Sequence, residues 1–293
     1  MKVHSVQEYL NTIEKLKHNY TYSARLYPNP LFGEQIYTPR FIFRGHGDHA
    51  NYGLLPGVLR WRSTATGGMM SEYSQMEHNI LKDFISEACR YLTSIPTNDI
   101  PAWLEMAQHF GVPTRLLDFT QNPLVALYFA CEDRQDKEGS VWVINEPAYN
   151  DLFFNIKSVV DSTLSENTII KVVSDEIVYR DNNQHTDLNY IQWPWIYKPQ
   201  YHEERMNAQA SVFMLWGANR SPLTQFVRPE HYMTDSDTVE NQQTGVIGAI
   251  LIPAEKKKEI LAQLDLCGIN EKFIYPGLDG VGRYIKKKYS SGK

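Results

Sequence analysis

The segment NPLVALYFACE, residues 122–132, constrains the fold of this chain more than any other stretch. Asn122 and Pro123 are typical of a helix cap and a first helical position, and the residues behind them are almost all apolar. A helix that is apolar on every side must be buried by other elements. Short apolar runs of strand type lie before and after it, at residues 41–43 and 141–144. The sequence therefore predicts a buried helix between strands, which is an α+β arrangement.

We expect one composite α+β domain over residues 1–293, with a mixed or antiparallel sheet flanked by helices. The 293 residues, 42% of them hydrophobic, are enough to bury such a core. Residues 1–38 are expected to form an N-terminal helix and loop, and residues 39–217 the core with the functional site. Residues 244–293 are expected to form a strand–helix element that packs on this core. No internal repeat or low-complexity tract indicates another organisation.

Local patterns predict several further elements. Ser5 caps a helix whose apolar residues recur at helical spacing, and Asp99 caps another helix that ends at Gly111. A long amphipathic helix is expected over residues 72–94, and a strand or short helix over residues 169–179. The clearest strand, TGVIGAILIP, precedes the clearest C-terminal helix, EKKKEILAQLDLCGI.

The formal net charge of −5 and the three widely spaced cysteines exclude several classes of protein. This charge argues against a broad nucleic-acid-binding surface but leaves a local basic patch open, and the cysteines indicate neither a disulfide framework nor a metal knuckle. The two KKK runs, residues 256–258 and 286–288, are interpreted as solvated helix faces. No apolar run approaches the ~18 residues that span a bilayer, and the charged N-terminus is no signal peptide. We therefore expect a cytoplasmic protein without a membrane partner.

The common catalytic motifs are missing from the sequence, which holds no Walker loop, no GxGxxG behind a strand, no HExxH and no GxSxG. His46, Asp48 and His49 are loosely spaced and lack the further ligands that a metal site needs. They are interpreted as a surface turn, so no metal is expected.

Arg44 follows the apolar run of residues 41–43 and is expected at the end of a strand, just before a glycine turn. A guanidinium fixed on a rigid element offers a fork that matches phosphate or carboxylate. Gly45 would let a ligand or another backbone come close. The alternative is an internal ion pair between Arg44 and a carboxylate such as Asp118.

Polar residues are concentrated in AQHFGVPTRLLDFTQNP, residues 107–123, ahead of the buried helix. Arg115 and Asp118 are either a buried structural pair or part of a site, while Thr120 and Asn122 suit turn and cap bonds. His109 is either an acid or base, or a charge at a helix end. More polar groups are present than one turn requires, which favours a pocket. We expect Arg115 and Asp118 to staple the turn that presents Thr120 and Asn122.

The segments FIFRG, residues 41–45, and AQHFGVPTRLLDFTQNPLVALYFA, residues 107–130, resemble the FRG-domain family of bacteria and phages, which is named for Phe-Arg-Gly. ERMNAQASVF and LDLCGINEKFIYPGLDGVGRYI resemble later segments of that family, so the resemblance covers nearly the whole chain. Membership would imply a role as a toxin or in antiphage defence.

A fainter resemblance connects the chain to ADP-ribosyltransferases. Their NAD site begins with a strand ending in Arg-Gly or His-Gly, continues with a polar strand, an A-x-x-F-A helix and another strand, and ends with a late acidic residue. Here Gln209 takes the place of that residue. The resemblance implies that Arg44 anchors NAD, that Asp118 and Thr120 position it, and that Gln209 contacts the nicotinamide-side ribose. The remaining residues that it implies around NAD are Gly45, His109, Arg115 and Asn122.

The leading hypothesis is therefore an NAD-utilising enzyme, an ADP-ribosyltransferase or NAD glycohydrolase that acts on an unknown macromolecular acceptor, protein or nucleic acid. Because Gln209 cannot supply negative charge, Asp118, or Glu203 or Glu204, would have to supply it. An alternative is a non-catalytic module that binds a nucleotide, a phosphate or a nucleic acid. A third hypothesis is a hydrolase or nuclease that uses His109 and Asp118.

Overall fold

A computed structural model describes the chain in seven stretches: residues 1–25, 34–60, 70–154, 193–199, 203–217, 219–236 and 245–290. The expected element at residues 169–179 lies outside the described residues. In the described part, no helix is both long and apolar enough to cross a membrane.

Eight strands are assigned to the described residues: β1 Tyr22–Arg25, β2 Glu34–Tyr37, β3 Phe41–His46, β4 Leu116–Thr120, β5 Gly139–Asn145, β6 Trp195–Tyr197, β7 Ser211–Leu215 and β8 Ile247–Ile252. The last six form one sheet in the order β6-β7-β4-β3-β5-β8. Every neighbouring pair in it is antiparallel. This confirms the expected helix-flanked α+β sheet, and it is antiparallel throughout.

The helices of the described residues are α1 Val6–Asn19, α2 Gly57–Arg60, α3 Met70–Ala88, α4 Ile100–His109, α5 Pro123–Glu132, α6 Glu146–Phe154, α7 Glu204–Ala208, α8 Leu223–Phe226, α9 Lys257–Leu266, α10 Glu271–Ile274 and α11 Leu278–Ser290. Their caps agree with the sequence: Ser5 accepts a hydrogen bond at the start of α1, and Asp99 does so at the start of α4. Gly111 has a φ of 80°, as a left-handed residue after a helix should.

Helix α5 is buried against one face of the sheet, as its composition requires. Val125, Leu127 and Ala130 belong to a core that also contains residues of α1 and α9. Gly45 makes this contact possible, because a Cβ there would lie 2.6 Å from the backbone nitrogen of Ala130 and closer still to the carbonyl oxygen of Ala126. The absence of a side chain at Gly45 therefore lets the backbone of α5 approach β3 closely.

A second core covers the opposite face of the sheet. Ile42, Leu117 and Met214, from three neighbouring strands, pack there with residues of α2, α6 and α8. Helix α4 belongs to a third core, where Trp103 and Met106 contact β6 and β7. The sheet therefore lies between helical layers.

Strands β3 and β4 separate after a single residue pair, Phe43 with Thr120. In contrast, β3 pairs with β5 through six residues, and β4 pairs with β7 through five. The backbone of residues 44–46 therefore bonds to β5 on one side and faces a split in the sheet on the other. This split positions the candidate site.

Three expectations about elements are wrong in detail. Residues 20–38 contain the paired strands β1 and β2 where a loop was expected, and four-residue strands are too short to show a clear alternation. Arg44 lies inside β3, which continues to His46, so no glycine turn follows it directly. The helix expected over residues 72–94 begins at Met70 and ends at Ala88.

Lys257 corrects the interpretation of the first KKK run as a solvated face. Its side chain is fully buried, and its ammonium donates to the carbonyl oxygens of Gly47, Asp133 and Arg134 at 2.7, 3.0 and 2.9 Å. Burial lowers the pKa of Lys257 because it disfavours the charged form. This residue ties α9 to the end of α5 and to the loop after β3.

Candidate functional site

A cavity of about 470 Å³ lies where β3 and β4 separate. Strand β3 and the loop behind it supply residues 43–47 to its wall, and β4 supplies Asp118, Phe119 and Thr120. The other described lining residues come from α2, α4, α5, α7 and β7 and from nearby loops: Tyr52, Arg60, Gln108, His109, Val125, Ala126, Phe129, Asp133, Arg205, Met206, Gln209, Ser211 and Phe213.

Arg44 is held by two hydrogen bonds, one within β3 and one across the split to β4. Its Nε donates to Nε2 of His46 at 2.9 Å, and its Nη1 donates to the carbonyl oxygen of Asp118 at 2.6 Å. Burial lowers the pKa of Arg44 to about 10, so the guanidinium is still charged at neutral pH. Its Nη2 has no hydrogen-bond partner among the described residues. A fixed cation whose Nη2 donates to no described residue therefore lines the cavity.

His46 serves as an acceptor for this arginine. Burial and the neighbouring Arg44 lower the pKa of His46 to about 2, so the ring is neutral. The side chain is buried, which corrects the expectation of a surface turn at residues 46–49. Asp48 accepts hydrogen bonds from Asn51, and His49 packs against Trp142. Within the described ranges, no group of three or more His, Cys, Asp or Glu residues is placed to hold a metal ion.

The carboxylate of Asp118 is oriented by a relay of side chains. The Nε2 of Gln108 donates to its Oδ2 at 2.6 Å, and the hydroxyl of Thr114 donates to Oε1 of Gln108 at 2.7 Å. Nη1 of Arg44 lies 3.8 Å from the same carboxylate oxygen. The Asp118 side chain is 51% exposed, so its position depends on these contacts rather than on burial. The Gln of the Q-H-x-G-x-P-T motif is thus a positioning residue that sequence analysis did not assign.

Arg115 does not pair with Asp118, and the expected staple between them is wrong. The Arg115 guanidinium is buried and binds Glu77 of α3, with Nη2 2.6 Å from Oε2. Residues three apart in extended backbone point to opposite faces, which separates the two side chains. Arg115 is outside the cavity wall and joins α3 to the strand instead.

Thr120 connects β4 to the start of β7. Its hydroxyl donates to the carbonyl oxygen of Gln209 at 2.5 Å and accepts from the backbone nitrogen of Asn122 at 2.9 Å. The Asn122 side chain caps α5 through the nitrogen of Leu124, so it does not line the cavity. Thr120 and Gln209 do line it.

Gln209 is itself held by the C-terminal part of the chain. Its Nε2 donates to the carbonyl oxygen of Ile274, at the end of α10, at 2.9 Å. Glu203 and Glu204, which could have supplied a carboxylate near Gln209, are not among the residues that line the cavity. The described carboxylates on its wall are Asp118 and Asp133.

Three of the described lining residues are arginines, Arg44, Arg60 and Arg205. The latter two were not singled out from the sequence as site residues, because their side chains reach the cavity from short helices far apart in the chain. His109 lies with them, and burial together with Arg205 lowers the pKa of its imidazole. A neutral histidine and three cations around two carboxylates make a site that suits an anionic ligand.

Residues 39–139 match the model of a protein family, the FRG domain. The matched segment contains Arg44, Gln108, Asp118 and Thr120 and ends at the first residue of β5. Arg205 and Gln209 come from beyond the matched segment. Neither the comparison with curated proteins nor the comparison with solved structures gives a match.

Proposed function

We propose that this protein is an NAD-utilising enzyme of the ADP-ribosyltransferase type. The observation that carries the proposal is that one cavity gathers Arg44 of β3, Asp118 and Thr120 of β4, and Gln209 before β7. This is the chain order of the NAD site in the enzymes that the sequence resembles. The buried helix α5 and the strand β5 follow β4 in the same order.

The size and the charge of the cavity support a dinucleotide as ligand. A volume of about 470 Å³ lies within the range of small-molecule sites. The unused Nη2 of Arg44, with Arg60 and Arg205, would bind the pyrophosphate. Phe129, which is only partly buried, offers aromatic surface for the nicotinamide or adenine ring.

The chemistry follows from the charges on the cavity wall. The bond between C1′ of the ribose and the ring nitrogen of nicotinamide breaks, and its electron pair neutralises the departing ring. The ribose carbon becomes positively charged, and the Asp118 carboxylate would stabilise this charge in place of the missing late glutamate. Gln209 would contact a ribose hydroxyl. Water or an acceptor then attacks C1′ and gives up its proton, for which His109 is the candidate base.

An alternative function is binding without cleavage. It is favoured by Gln209, which brings no negative charge and whose amide is already bonded to Ile274. NAD binding without any release of nicotinamide, in the presence and absence of acceptors, would support this alternative. The hydrolase hypothesis based on His109 and Asp118 has no observation of its own in its favour.

The proposal is tested by incubating the protein with NAD and measuring released nicotinamide for the wild type, Arg44→Gln and Arg40→Gln. Arg40 precedes β3, is half-exposed and pairs with Glu146 outside the cavity, so it is a matched control. We expect Arg44→Gln to lose at least about 100-fold of the activity, as loss of a charge-stabilising group does. The control should keep its activity, and both variants should keep the wild-type circular dichroism. Equal NAD affinity and equal cleavage in the folded Arg44→Gln variant would refute the assignment.

A role as a toxin or antiphage-defence effector is part of the proposal, since the FRG resemblance implies it. This role is tested by measuring the growth of a bacterial host that expresses the wild type or Arg44→Gln. Growth arrest by the wild type alone is the expected result.

A further inference from the structure

Positive charges and tyrosine rings alternate along the C-terminal helices, starting at the cavity. The guanidinium carbon of Arg205, which lines the cavity, lies 4.8 Å from the ring centre of Tyr275. The guanidinium carbon of Arg283 on α11 lies 4.5 Å from the same ring. One tyrosine therefore joins an arginine of the cavity to an arginine of the outer helix.

Two further cation–ring contacts involve α10 and α11. The ammonium of Lys272 lies 4.1 Å from the ring centre of Tyr284, and that of Lys288 lies 5.9 Å from the ring centre of Tyr289. The side chains of Arg283, Lys286 and Lys288 are exposed. Residues 271–290 hold five Lys or Arg and two acidic residues, in a chain with a net charge of −5. This segment is therefore locally basic.

One side of helix α11, its inner side, packs on the rest of the protein. The opposite, outer side is exposed and is available to a partner. Lys287 forms an ion pair with Glu271. Gly280 lies against the carbonyl oxygens of Tyr275 and Glu271, where any side chain would collide. The outer side carries large apolar residues with high exposed fractions, 89% for Leu278, 50% for Ile285 and 77% for Tyr289. A helix with this exposed composition fits a surface that offers both negative charge and flat apolar groups.

We propose that Tyr275, Arg283 and the outer side of α11 bind single-stranded nucleic acid and lead it to the cavity as the acceptor. Phosphates are the polyanion that exposed lysines and arginines bind, and unpaired bases stack on tyrosine rings and guanidinium planes. This inference rests on the proposed NAD-dependent function and names the acceptor class for it. In the transfer, a nitrogen or hydroxyl of the strand bonds to C1′ while the bond to nicotinamide breaks. The proton of that nucleophile passes to the candidate base His109.

An anionic lipid surface would also attract a basic amphipathic helix. We favour nucleic acid because the arginine–tyrosine stack leads from the outer helix to an arginine of the cavity, where the reacting C1′ would lie. A lipid headgroup at a membrane surface would not reach that carbon. Lipid binding is therefore treated as a competing outcome.

The test measures binding of fluorescent single-stranded RNA and DNA of about 20 nucleotides, which exceeds the span of a single small site. The variant carries Arg283→Gln, Lys286→Gln and Lys288→Gln. The control removes the same charge from exposed positions elsewhere, with Lys17→Gln, Lys82→Gln and Lys258→Gln. We expect the first variant to bind at least tenfold more weakly than the control. The slope of log binding affinity against log salt concentration should be smaller in magnitude by about 2 for the first variant than for the control, since each of the three lost phosphate contacts contributes ~0.7.

Nicotinamide release from NAD without oligonucleotide is measured in parallel, so that failures can be told apart. Unchanged release in the variant, with loss of ADP-ribose transfer to the oligonucleotide, is the expected result. An active wild type that binds neither RNA nor DNA would overturn this inference and leave the NAD proposal standing. Equal losses in the variant and the control would also overturn it. Binding to phosphatidylserine vesicles without any binding to oligonucleotides would likewise overturn this inference.

Discussion

Glu105 is a buried acid that the proposed chemistry does not use. Its side chain lies in the core between α4 and β6, and its Oε2 has no hydrogen-bond partner among the described residues. Burial raises the pKa of Glu105 to about 8, because it disfavours the charged carboxylate. The folded protein therefore keeps this proton up to about pH 8, whereas the unfolded chain releases it near the ordinary value.

Stability should consequently fall as pH rises between about 4.5 and 8, where only the folded state binds the proton. Glu105→Gln keeps a neutral group of the same shape at every pH. We expect the variant to gain roughly 3 kcal/mol over the wild type between pH 5 and pH 8.5, somewhat below the ideal 1.4 kcal/mol per pH unit. Urea unfolding at several pH values measures this difference. A difference that does not change with pH would show that Glu105 is ionised in the folded state.

Single residues also show what the sequence could predict about the site. Arg44, Asp118, Thr120 and Gln209 were selected from the sequence, and all four line the cavity. Arg115 was assigned to Asp118 because the two are near neighbours in sequence, but its partner Glu77 lies 38 positions away. Pairing over such a separation depends on tertiary packing and leaves no local pattern.

At the scale of elements, the packing of α5 on β3 depends on the absence of a side chain at residue 45. Gly45→Ala places a methyl group against the backbone of Ala126 and Ala130, which cannot move aside as a flexible side chain could. Overpacking of this kind costs about 3 kcal/mol. Gly53→Ala is the control, because no atom lies within 4 Å of the added Cβ there. Thermal and urea unfolding of both variants should show a large loss for the first and little change for the second; equal stability would mean that α5 can shift freely.

Elements with a strong local signal were predicted well, and those defined by their neighbours were not. Caps and apolar runs identified α1, α4, α5 and β8. From its polar residues, the segment of β4 was expected to form a turn that presents Thr120 and Asn122. It is a strand because β7 pairs along its whole length, and the sequence carries no sign of that pairing. The split between β3 and β4 was equally hidden, although it creates the cavity.

At the scale of the whole molecule, the FRG match and the folding unit have different extents. The match ends at residue 139, the first residue of β5, yet β4 lies beside β7 and β3 lies beside β5, which follow it in the chain. Lys257 and the apolar residues Ile260 and Leu264 of α9 cover the end of α5. The matched segment alone would therefore expose two strand edges and one side of its central helix.

We accordingly expect residues 39–146 alone to lack a cooperative fold, although they contain Arg44, Asp118 and Thr120. Circular dichroism during heating should show a sigmoidal transition for residues 1–293 and for residues 1–290, and a gradual change for residues 39–146. The second chain is the control for truncation itself, since it keeps every described element. Without β7 and α10 the short chain also lacks Gln209 and its bond to Ile274, so the proposed NAD binding should be lost with the fold. A cooperative transition in residues 39–146 would instead show that the core around α5 is sufficient, and that the later strands only complete the cavity wall.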